Sequence, residues 1–141
     1  MGLRTLLLII ALAVCGCAPF WSRQEPLDTR VHGYWNALLK GDTKTAFEYF
    51  EPNFKTPEGY ALFISGNRQV SYLGYNIQKL EINGGQATAS ISRTFKIMPG
   101  ALPVMLDKPL TMTIAQKWTR QDGTWYVDAD DKSKNPFMDK P

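Results

Sequence analysis

The chain has 141 residues, with 16 basic and 13 acidic side chains, one histidine, two cysteines and 44 % hydrophobic residues. That length holds a single domain with a core of ordinary size. A formal net charge of +3, scattered along the chain, excludes the clustered basic face of a nucleic-acid binder. Two cysteines and one histidine exclude a disulfide scaffold and a Cys/His metal cluster.

Met1-Gly2-Leu3-Arg4 carries one positive charge, and residues 6–14 follow without a polar side chain. A charged start before a short apolar run is the pattern of a secretory signal peptide. A retained transmembrane anchor is the alternative. Crossing the hydrocarbon core takes about 20 apolar residues, however, and Cys15-Gly16-Cys17 and Pro19 end the run first. Val14-Cys15-Gly16-Cys17 resembles the lipobox of bacterial lipoproteins: a branched apolar residue, a small residue, Gly or Ala, then Cys. Cys15 departs from the usual Ala, Ser or Thr but is small enough for the position. The resemblance implies that residues 1–16 are removed as a signal peptide, that Cys17 receives lipid, and that the membrane is a partner through it. Ala18 in place of Asp implies, by the same resemblance, the outer membrane, on its periplasmic face. Removing residues 1–16 from 141 leaves 125, with 15 basic against 13 acidic side chains and Cys17 as the remaining cysteine. The folded part must therefore stand on its hydrophobic core.

Residues 17–27 read as a lipidated tether, with two prolines and no periodicity. Phe20 and Trp21 can sit at lipid headgroup level or pack on the domain. Leu27, Val31, Tyr34, Trp35 and Leu38 then recur at helical spacing, with Asp28 or Thr29 as cap and Gly41 as stop. Asp42 caps a second helix that buries Ala46, Phe47 and Phe50 and ends at Pro52. Thr56-Pro57-Glu58 starts a third, presenting Tyr60, Phe63 and Ile64.

From Gln69 the period becomes alternating. Asn83-Gly84-Gly85 and Asp122-Gly123 are residues that accept the positive φ of tight hairpins, so four consecutive strands are expected. In the second strand Ala87, Ala89, Ile91, Phe95 and Ile97 share one face; in the third, Leu110, Met112, Ile114 and Trp118; in the fourth, Trp125 and Val127. The first strand keeps no parity, which predicts a bulge near Gly74. One-sided helices and a one-sided meander must cover each other, giving an α+β two-layer domain over residues 28–129. A tail, residues 130–141, is expected to be mobile.

The order of helix, Gly-Asp turn, helix and meander, with Tyr34-Trp35-Asn36-Ala37-Leu38-Leu39-Lys40-Gly41-Asp42 and Gly123-Thr124-Trp125-Tyr126-Val127, resembles the nuclear-transport-factor-like cone fold. The resemblance implies N-terminal helices packed on a curved four-stranded antiparallel meander. It leaves function open, because the same cone serves cyclases, isomerases and transport adaptors.

No acid is placed inside the core by its spacing. His32 lies one step from Val31, at the edge of the first helix's stripe, so no catalytic residue is assigned. No cofactor or metal site is expected either, since no Gly-rich phosphate loop, ligand cluster or calcium loop is present. The connection after the second strand is unusually apolar, and Leu102, Val104, Met105 and Leu106 either plug the cone or form a lid or partner contact. Arg93 and Gln116 fall in phase with the apolar faces of their strands. Either they form the polar end of a ligand pocket, or Arg93 is turned to solvent or paired with an acid such as Glu58. The leading expectation is a non-enzymatic envelope lipoprotein that binds a small amphipathic ligand or an envelope protein. A cyclase- or isomerase-type enzyme and a structural adaptor are the rivals.

Overall fold

The computed structural model describes residues 24–99 and 108–130. The elements run α1 (Leu27–Leu39), α2 (Thr43–Phe47), a 3₁₀ turn (Pro52–Phe54), α3 (Pro57–Asn67), β1 (Val70–Asn83), β2 (Gln86–Ile97), β3 (Leu110–Gln121) and β4 (Thr124–Val127). The strands form one antiparallel sheet in the order β1-β2-β3-β4. The helices cover one face of it. This is the expected α+β class, N-terminal helices on a four-stranded antiparallel meander.

α1 buries Leu27, Val31, Tyr34, Trp35, Ala37 and Leu38, the stripe set by its 3.6-residue period. Its start differs from expectation. Pro26 occupies the N-cap without a side-chain bond, and Asp28 lies in the first turn, where its charge still opposes the helix dipole. Burying Leu27 in the helix requires a start two or three residues earlier than the Asp28 or Thr29 cap allows. Gly33 brings α1 close to Tyr49: a Cβ there would lie 2.7 Å from Cζ of that ring, so any larger residue would have to push the phenol aside. Asp42 caps α2 as expected, accepting from the Thr45 amide at 3.0 Å. Pro52 does not end that helix, which stops at Phe47, but starts the 3₁₀ turn, where its fixed φ is suited and its missing N–H costs nothing. Thr56 caps α3 through the Gly59 amide at 3.1 Å.

β1 shifts register against β2 between Tyr72 and Gly74 and again between Ile77 and Lys79. The first shift is the expected bulge, and each bends the strand and resets which residues face the helices. Asp122 and Gly123 both have positive φ, 49° and 81°, which matches the twist of the hairpin they close. Trp35, Phe50, Ile91, Phe95, Trp118 and Trp125 are all buried, so the inward faces read from the sequence hold at these positions. Met112, expected on the inward row of β3, is instead 39 % exposed, and Leu110 and Ile97 are half-buried. Phe47, Phe50, Phe54 and Phe63 extend this core with ring centroids 5.1–5.9 Å apart, offset and edge contacts that aromatic quadrupoles favour.

Candidate functional site

Along β2 every second residue from Ala87 to Phe95 is buried, and Arg93 is one of that row, 6 % exposed. Along β3 the corresponding row is Ile114, Gln116 and Trp118, with Gln116 1 % exposed. Both polar residues therefore stand on the helix-covered face, carried there by the two-residue period of their strands.

Arg93 has no carboxylate within ion-pair distance among the described residues. Glu58, the partner weighed from the sequence, is exposed in the first turn of α3. The guanidinium lies between two rings instead, its carbon 5.9 Å from the centroid of Tyr72 and 5.3 Å from that of Phe95. Nη1 donates to the Tyr72 hydroxyl at 3.4 Å, and Nε is buried with no partner. A buried donor left unsatisfied costs about 1–3 kcal/mol.

Gln116 is oriented from the helical layer. Its Oε1 accepts from Trp35 Nε1 at 3.1 Å, so its amide NH₂ points away and remains a donor. The Tyr34 hydroxyl is hydrogen-bonded by Gln116 and feels Tyr72 and Arg93 electrostatically. Burial pushes it well above the usual tyrosine range, the neighbouring Tyr72 adds to this, and the Arg93 charge and the Gln116 amide offset only part. Tyr72 is raised as well, by burial first and against the pull of Arg93. Both phenols thus keep their protons at neutral pH. Trp118 Nε1 is a second buried donor with no partner. The polar atoms facing the helices are therefore chiefly donors, and their chemistry is to hold an acceptor.

No hydrogen bond joins Arg93 to Gln116 among the described residues; both act on Tyr34 instead. Tyr34, Trp35 and Trp118 read as plain apolar positions in the sequence, and only their ring N–H and O–H groups hinted at a polar role. Tyr72 was hidden because the bulge at Gly74 breaks the parity of β1. Cys17, Leu102, Val104, Met105 and Leu106 lie outside the described residues.

The remaining titratable groups stand elsewhere. His32 is exposed, with Nδ1 2.8 Å from the Tyr75 hydroxyl, which also donates to Asn36 Oδ1 at 3.0 Å. Glu51 accepts from the Ala129 amide at 3.1 Å and from Gln121 Nε2 at 2.9 Å. That is a stitch between the 3₁₀ turn and the end of the sheet. Among the described residues no three His, Cys, Asp or Glu side chains are grouped to hold a metal.

No protein-family model matches the chain, and no curated protein matches it. Solved structures do share its fold. A SEC-C motif containing protein from Rhodopseudomonas palustris superposes with a TM-score of 0.56 at 12 % identity, over 72 % of this chain and 74 % of that one. TsrD from Streptomyces laurentii gives 0.53 at 14 % identity, over 72 % and 85 %. AclR from Streptomyces galilaeus gives 0.54 at 9 % identity, over 70 % and 73 %. At such identities the likeness is one of fold alone.

Proposed function

We propose that this chain is an envelope lipoprotein, anchored to the outer membrane through Cys17, whose α+β domain binds a small ligand without transforming it. The observation that carries the binding reading is Arg93: a guanidinium 6 % exposed, with an unpartnered Nε and no acid beside it among the described residues. A buried charge is kept only where something compensates it, and a bound acceptor is such a compensation. The phenols of Tyr34 and Tyr72 hold their protons, which suits holding a ligand rather than exchanging protons with it.

Anchoring is supported by the lipobox-like Val14-Cys15-Gly16-Cys17. Among the described residues no helix is long and apolar enough to cross a membrane. Residues 18–23 alone separate Cys17 from Gln24, whose side chain is held by Arg120. At roughly 3.5 Å per residue, lipid on Cys17 would keep the domain within about 25 Å of the bilayer surface. Intact-mass measurement of membrane-extracted protein tests the anchor. Lipid on a chain starting at Cys17, absent from Cys17→Ser, is expected; an unmodified Cys17 on a chain retaining Met1 refutes it. Saturable one-to-one binding of a six-carbon amphiphile, followed by tryptophan emission, tests the second half of the reading.

A further inference from the structure

The chemical class of the ligand follows from how the guanidinium is already used; this rests on the binding reading above. Tyr72 occupies Nη1, which leaves the Nε–Nη2 edge, and Nε on that edge has no partner. This edge presents two parallel N–H bonds, the spacing that a planar carboxylate accepts with both oxygens. Arg93 is also the only charged residue among the buried ones described. One cation neutralises one negative charge. A second negative charge would enter the same low-dielectric setting without a counter-ion, which disfavours a dianion. The surroundings of Arg93 are the rings of Tyr72 and Phe95, with Trp35 packed edge-on to Tyr72 at 5.6 Å. They offer contact to an apolar body and not to a sugar or peptide backbone.

We propose that the site takes a monocarboxylate with an apolar body, the carboxylate on the Nε–Nη2 edge of Arg93 and the body against Tyr72, Phe95 and Trp35. Nε is sealed from solvent, so binding requires a neighbour to move. Tyr72 is the half-buried one of the two flanking rings. It stands at the first β1 register shift, and its 3.4 Å bond to Arg93 is at the long end of the range. Displacing it therefore gives up little and frees the guanidinium to turn its Nε–Nη2 edge outward.

The test titrates the full chain with hexanoate, 1-hexanol and hexyl phosphate near pH 7.5, following tryptophan emission. Hexanoate should bind roughly ten- to a hundredfold more tightly than hexanol, the factor expected of a hydrogen bond to a charged group, and more tightly than the phosphate. Arg93→Met, whose folding is checked by the near-ultraviolet signal of the aromatic core, should abolish the preference for hexanoate over hexanol. Arg93→Lys, which keeps the charge but not the planar fork, should retain only part of it. Equal binding of hexanol, tighter binding of hexyl phosphate, or a preference that survives Arg93→Met overturns the carboxylate assignment and leaves the binding reading standing. No saturable binding of any of the three overturns both.

Discussion

Gln116 and Trp35, 81 residues apart in the chain, are joined by a buried hydrogen bond of 3.1 Å from the indole N–H to the amide oxygen. It ties the middle of α1 to the third strand and decides which end of the Gln116 amide faces the site. Gln116→Leu should cost about 1–3 kcal/mol, because it strands the Trp35 donor in the core. Combining it with Trp35→Phe should cost clearly less than the sum of the two single changes, since the pair is then removed together. Urea unfolding of the four proteins measures the coupling. Strict additivity would mean the bond contributes nothing to stability.

Trp125→Ala should cost about 3–5 kcal/mol, the usual range for emptying a buried aromatic position. Trp125 is 5 % exposed, its carbonyl accepts from Arg30 Nε at 2.9 Å, and the Arg120 guanidinium stacks 5.7 Å from its ring. In a domain of about a hundred residues each kcal/mol lowers Tm by roughly 4–8 °C. A variant melting within a degree or two of the parent would overturn the inward assignment of β4.

Glu51→Ala should destabilise by about 1–3 kcal/mol, because it releases both the Ala129 amide and the Gln121 side chain. Loss of hydrogen-exchange protection should be concentrated at the Ala129 amide. In the sequence nothing but its neighbour Pro52 marks this glutamate. Its partners lie 70 and 78 residues away, where no local pattern reaches.

Stability should be insensitive to Tyr34 below pH 10 and fall above it. Burial raises the pKa of Tyr34 in the folded state from the ordinary 10.0, so the phenol ionises first in the unfolded chain. The stability it contributes is fully present below the unfolded pKa and is lost as pH rises from there toward the folded value. Tyr72, raised for the same first reason, acts in the same direction. Between pH 9 and 11.5 the urea midpoint of the parent should drop more steeply than that of Tyr34→Phe, and parallel curves would refute the assignment.

Much of the fold was legible in local periodicity. The 3.6-residue stripe of α1, the two-residue rows of β2 and β3, and the Asp122-Gly123 hairpin are properties of neighbouring residues. They put Arg93 and Gln116 in phase with the apolar rows and left open whether Arg93 turns to solvent; the structure puts both on the helix-covered face. The α1 cap was misread because Leu27 is held by the core, and burial outweighed the side-chain cap that Asp28 or Thr29 offered.

What the chain's pattern determined, then, is which face each side chain takes, because alternation and helical pitch are dictated within a few residues. What only the tertiary structure decided is what each side chain meets there. The two register shifts of β1 brought Tyr72 to Nη1 of Arg93. The packing of α1 over β3 spent the Gln116 oxygen on Trp35. Together they left the Nε edge without a partner. Such pairings depend on strand register and on elements separated by dozens of residues, and a shift of one residue in β1 would exchange every one of its contacts.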